Sequence, residues 1–328
     1  MKIKIRATIT AALAMAALNC AALDSFAHNY NNPGRHDGPD EKRDGEGVEE
    51  VERKETGFFF HHRDRRPASA QFEEAGKEYL AGRLKSSCRK FDILVRSHPY
   101  SAEASRAQYN LGAILERRGK YNEAFDEYYY LLIYYPENAK AGVVLEHMFA
   151  IANWQLRRGK RSAAVKSFSR IAAVAPGWEK TPEALYLVGE ARLAMHDWYE
   201  AADAFDTVSS DYPASDYALP SMVGHSDALY ALSLKYKEDE AIQSRAIVVT
   251  TSAITALPAE SPQRSRLAKN LEDLVSRRDA RAFAIAQFYD TRRFKPENAI
   301  AAYEDFLRQN PQSRFTEAAR LRLDTLRQ

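Results

Sequence analysis

The sequence predicts an all-α fold: a right-handed α-α superhelix of about six helix pairs, closed by a C-terminal capping helix. Three observations carry this expectation. From Pro67 onward, amphipathic runs rich in Ala, Leu, Glu, Arg and Tyr follow one another, and sustained strand-type alternation is absent. Prolines recur at the ends of these runs, at 99, 136, 176, 213, 258 and 311, giving intervals of 37, 40, 37, 45 and 53. Near-regular spacing in the thirties is the mark of a helical repeat array. Small and aromatic residues also hold fixed places ahead of the first four prolines.

Within each repeat the first helix is here called A and the second B. Twelve residues before each of the four prolines stands Ser87, Ala124, Ala164 or Ala201, and twelve further back Ala75, Gly112, Ala152 or Gly189. Small residues at these two points let helices A and B approach closely. Eight before each proline stands Phe91, Tyr128, Phe168 or Phe205, placed to fill the wedge beside them. Gly82, Gly119 and Gly159 share the position between the helices, where a left-handed residue ends helix A; the fourth repeat has His196-Asp197 there. The fifth unit, about 217–258, keeps Ala246 and Pro258 without the aromatic. The sixth keeps Ala299, Tyr303 and Pro311, with a turn expected over 293–298, and residues 315–326 are expected to cap the stack.

The first 66 residues are of another kind. Residues 1–27 read as a signal peptide: Lys2, Lys4 and Arg6 precede an apolar run from Ala7 to Leu18, and Ser25-Phe26-Ala27 fits a cleavage site. Cys20, after Ala17-Leu18-Asn19, offers lipidation as the rival processing, with Asn19 a poor fit at the position before the cysteine. Both alternatives place the protein outside the cytoplasm, in the periplasm, either free or attached to the outer membrane by lipid. Residues 28–66 hold ten acidic and eight basic residues without apolar periodicity, the composition of a disordered charged tether. Its one apolar cluster, Gly57-Phe58-Phe59-Phe60, reads either as a staple on the first helix or as a short docking motif.

Composition and motifs exclude several kinds of chemistry. The formal charge is +2, and removing residues 1–27 leaves 44 charges of each sign, so phosphate neutralisation and a nucleic-acid partner are not expected. No run of 18 apolar residues is present to cross a membrane. His61-His62-Arg63-Asp64 has the letters of a kinase catalytic loop without the Gly-rich loop or metal-binding triplet that would accompany it. There is no H-E-x-x-H, G-x-S-x-G, P-loop or dinucleotide fingerprint, and His98, His147, His196 and His225 fall in separate repeats. Neither catalytic residues, nor metal ligands, nor a cofactor are therefore expected. Cys88 reads as a small buried hydrophobe.

Leu111-Gly112, Ala124, Tyr128 and Pro136 resemble the tetratricopeptide repeat (TPR), and four repeats agree in register. The segments HPYSAEASRAQYNLG (98–112), GKYNEAF (119–125) and ARAFAIAQFYDTRRF with NAIAAYEDFLRQNPQSRFTEAARLRL (280–323) are similar to the BamD family of outer-membrane β-barrel assembly. That resemblance implies a non-enzymatic scaffold binding barrel-assembly components or unfolded outer-membrane proteins. A TPR partner of the peptidoglycan or cell-division machinery is the alternative. The repeat resemblance also implies that helix A lines the inner surface. Counting back 27 from each closing proline then gives Phe72, Tyr109, Phe149 and Tyr186 as a ladder for a partner segment. Arg106, Arg117 and Arg157, with Glu116, Glu146 and Glu190, fall at other inward positions, and this mixed lining favours a largely apolar ligand.

Overall fold

The computed structural model describes residues 64–136, 140–291 and 296–328. The expected signal peptide, Cys20 and all but the last three residues of the expected tether lie outside the described residues. Among the described residues there are thirteen helices and no strand. They are α1 (Ala68–Leu80), α2 (Leu84–Ser97), α3 (Ala102–Arg117), α4 (Tyr121–Tyr134), α5 (Ala141–Arg157), α6 (Arg161–Val174) and α7 (Thr181–Leu193). There follow α8 (Trp198–Asp211), α9 (Ala218–Lys235), α10 (Glu240–Ala256), α11 (Pro262–Thr291), α12 (Pro296–Gln309) and α13 (Thr316–Leu326). Odd-numbered helices up to α11 take the A place and even-numbered ones the B place, and α13 is the closing helix. Two compact units are present: the described residues up to Arg158 with Arg170–Trp178, and those of Gly159–Ser169 with Glu179–Gln328. Within each unit, neighbours in sequence pack on one another.

The first unit shows why the small residues stand where they do. Ala75 and Ser87 are fully buried, and the Ser87 hydroxyl donates to the Ala75 carbonyl at 2.9 Å, across the α1–α2 contact. In the next pair Gly112 lies under the Tyr128 ring, and a Cβ built on it would stand 2.6 Å from Tyr128 Cδ1. The backbone of α3 thus serves as the floor for a ring of α4. Asp64 to Arg66, at the end of the expected tether, are held against this unit. The Asp64 amide donates to Ser97 Oγ, and the Gln71 amide nitrogen donates to the carbonyls of Asp64 and Arg66.

In the second unit the same device is doubled. Phe205 of α8 is fully buried between Gly189 of α7 and Gly224 of α9, and a Cβ on either glycine would come within 2.6 Å of its ring. Gly82, Gly119 and Gly159 have φ of 74°, 73° and 72°, and His196 takes φ 63° at the corresponding place. The left-handed turn is therefore kept where its glycine is not.

The longer proline intervals come from longer helices. α9 has 18 residues, α10 has 17 and α11 has 30, about 45 Å at 1.5 Å per residue. The turn expected over 293–298 needs correction, because Pro296–Asn298 already belong to α12 and the preceding residues lie outside the described set. α11 is tied back to the end of α9: Arg277 donates to Ser233 O and Oγ, both at 3.0 Å, and Arg281 donates to Lys237 O. Arg277 thus meets a carbonyl of the last turn of α9, and Arg281 one just beyond the helix end.

Candidate partner-binding face

The A helices place the candidate rings individually. On α1, Phe72 is half-buried, its centroid 5.4 Å from that of Phe91 in an edge contact. On α3, Tyr109 is half-buried, 6.1 Å from Tyr128 and 6.4 Å from His147. On α5, Phe149 is only 8% exposed and meets the Trp178 ring edge-on at 5.7 Å. A partner could touch little of it. In the second unit Tyr186 of α7 is half-buried, 5.7 Å from Phe205 and 5.4 Å from Tyr217. Phe72, Tyr109 and Tyr186 therefore share one construction: each leans on the wedge aromatic of its own pair and keeps part of its surface open.

The charges do not stand apart from these rings. Arg106 of α3 lies over Phe72 of α1, with its guanidinium carbon 4.5 Å from the ring centroid. Arg117, about three turns along α3, lies over Tyr79 at 5.3 Å, and its Nη1 donates to the Tyr79 hydroxyl at 2.5 Å. Lys140 stands 5.8 Å over Tyr109. Cations on the next repeat thus cover rings of the one before, an attraction of about 0.5–1 kcal/mol at exposed sites. Arg106, Arg117 and Arg157 are exposed.

The carboxylate among them is engaged otherwise. Glu116 Oε2 accepts from the Tyr128 hydroxyl at 3.0 Å and sits 2.9 Å from His147 Nδ1, whose ring stacks on Tyr128 at 5.3 Å. Burial pushes the Tyr128 and Tyr109 phenols up, and the nearby Glu116 charge acts in the same direction, so both stay neutral. Glu146 and Glu190 are exposed. The lining of the first unit is consequently less mixed than its sequence suggests, because Glu116 points into the wedge and leaves Arg106 and Arg117 outside. Cys88 is half-buried and burial raises its thiol pKa, which disfavours the reactive thiolate.

Three features of this face escaped the sequence reading. Lys140 lies outside any helix, beside residues of no fixed repeat place. Trp178 comes after the closing Pro176, beyond the repeat pattern. The Glu116–His147 pair joins two repeats, and its only signal is that both residues flank the Tyr109 position on successive A helices.

Comparison with known proteins agrees with the repeat. Residues 183–215 match the tetratricopeptide repeat family model, a span that runs through α7 and α8 to the Pro213 turn. The chain carries a tetratricopeptide repeat, and repeats of this kind are scaffolds for protein–protein contacts. No curated protein matches the sequence. Among solved structures, a tetratricopeptide repeat protein from Parabacteroides merdae is 17% identical, with 80% of this chain and 99% of that one covered at a TM-score of 0.29. The C-terminal part of a TPR repeat-containing protein from Cytophaga hutchinsonii is 15% identical, with 78% and 88% covered at 0.29. YrrB, described as a TPR protein with an unusual peptide-binding site, is 18% identical, with 62% and 92% covered at 0.28. At this identity and overlap, none of the three bears on what this chain binds.

Proposed function

We propose that this chain is an exported, non-enzymatic adaptor of a bacterial envelope, binding protein segments on the A-helix face of its first repeats. Its place is the assembly of outer-membrane β-barrels, as the BamD-like segments suggest. The observation that carries the reading is the set of half-open rings Phe72, Tyr79 and Tyr109, each under a cation from the following repeat. Rings held by a wedge partner lose little entropy when a ligand covers them, and aromatic and Arg side chains are the usual anchors of interfaces. Export rests on the leader, with its basic start, apolar run and Ser25-Phe26-Ala27.

Affinity capture from crosslinked envelopes tests this reading, with wild type beside the pair Tyr109→Ala and Arg106→Gln. Barrel-assembly components recovered with wild type and lost with both variants support it. Recovery of wall-synthesis proteins instead would move the adaptor to peptidoglycan or division. Capture that neither variant alters would remove this face from the function. Mass spectrometry of the mature N-terminus separates a start near His28 from an acylated Cys20.

A further inference from the structure

The α1–α3 face carries two guanidiniums that meet no carboxylate among the described residues. Arg106 has the Phe72 ring as its contact, and Arg117 has the Tyr79 ring and hydroxyl. Several other cations of the same unit are paired: Arg66 with Asp64 and Glu74, Lys90 with Glu74 and Glu78, Arg83 with Glu78, Arg96 with Asp92. Exposed arginines stacked on open rings are fitted to a ligand that brings carboxylates and apolar groups together.

The chain itself contains such a ligand nearby. Residues 44–52, Asp-Gly-Glu-Gly-Val-Glu-Glu-Val-Glu, hold five carboxylates and two valines with no basic residue. The described chain begins at Asp64, which is pinned to Ser97, and Arg66 is tied to Glu74 of α1. The entry point is therefore at the start of α1, close to Phe72 and Arg106. Twelve residue steps from Glu52 to Asp64 reach at most about 40 Å, and the 13 residues of α1 run about 20 Å from Phe72's end to Tyr79's end. Both arginines lie within that reach. Exposed Glu73 and half-buried Glu103 on the same helices oppose the contact at its edges.

We propose that residues 44–52 dock in cis on the α1–α3 face, with their carboxylates on Arg106 and Arg117 and their valines against the open rings. Tethering makes the contact intramolecular, so a weak interaction occupies the face at an effective concentration near the millimolar range. A partner segment must displace it. The adaptor thus excludes chance ligands and admits those that bind the rings better than its own leader-proximal segment does. This proposal rests on the reading of the face as a docking surface.

The test uses the mature chain, residues 28–328, with Cys88→Ser and a nitroxide label at Val48→Cys. The Nε–H signals of Arg106 and Arg117 should be broadened by the label. The broadening should vanish when Glu46, Glu49, Glu50 and Glu52 are all changed to Gln, and weaken in 0.5 M salt, where exposed charges are screened. Broadening of these two signals no greater than that of Arg264 or Arg320, in the second unit, overturns the proposal. A synthetic peptide of residues 44–52 separates this failure from failure of the face. It should bind the quadruple Gln chain at least about tenfold more tightly than the wild-type chain, from which the cis segment excludes it. Equal binding to the two chains overturns cis docking while leaving the face a docking surface, and binding to neither removes both.

Discussion

Glycine and ring form the unit on which this array is built, and its energetics are testable one residue at a time. Gly189 and Gly224 bracket Phe205, each with a would-be Cβ 2.6 Å from the ring. Gly189→Ala should overpack the wedge and cost about 1–3 kcal/mol. If the ring is the cause, Phe205→Leu should absorb much of that cost, and the double variant should melt higher than the two single losses sum to. Additive losses would show that the strain lies elsewhere. The open and closed rings divide in the same way. Phe149, 8% exposed against Trp178, should lose about 3–5 kcal/mol on truncation to Ala. Tyr109→Ala should fall clearly short of that in a chemical melt while weakening capture of partner segments. The small positions 75, 112, 152 and 189 were legible in the sequence because each sits a fixed distance from a proline. Gly224 was not, because the fourth interval stretches to 45 and takes the pattern out of register.

At the scale of the element, the turns were the most readable part and the helix lengths the least. A left-handed residue is a local demand, so Gly82, Gly119 and Gly159 announce it, and the matching place in the fourth repeat adopts φ 63° although histidine stands there. A non-glycine residue in that conformation costs about 1–2 kcal/mol. His196→Gly should therefore raise stability by about 0.5–1 kcal/mol, net of the entropy glycine loses and of the ring contact with Trp198 at 5.6 Å. A lower thermal midpoint in that variant would mean that the ring contact outweighs the backbone. Nothing comparable marks how far α11 runs. Its 30 residues, Pro262 to Thr291, contain no internal glycine or proline, so no residue within it marks its length. The Arg277 and Arg281 contacts that anchor it are long-range, between residues 44 apart, and no local signal reveals them.

For the molecule as a whole, pH should act chiefly through a buried histidine. His225 of α9 is 3% exposed, with Nδ1 3.4 Å from Asp206 Oδ1 and Nε2 buried without a partner among the described residues. Asp203 and Arg245 also face it. Burial lowers its pKa below the ordinary 6.5, against the pull of Asp206. The unfolded chain therefore takes up a proton at a pH where the folded chain resists it, and stability is full above about 6.5 and declines as pH falls. Urea midpoints measured from pH 8 to 5 should drop, and His225→Leu should flatten that slope; an unchanged slope would assign it to other groups. The array was legible from composition and period, whereas the binding surface was legible only in outline. The ladder positions came from counting, but the covering of Phe72 by Arg106 and the inward turn of Glu116 arise where helices of successive repeats meet. The central claim is that this face holds partner segments. It is tested most directly by a photo-crosslinking amino acid at Asn110, between Arg106 and Arg117 on α3, beside the same group at Glu123 on α4, in intact cells. The account expects discrete crosslinked polypeptides from position 110 and none from position 123. Crosslinks from position 123 with none from position 110 would contradict it.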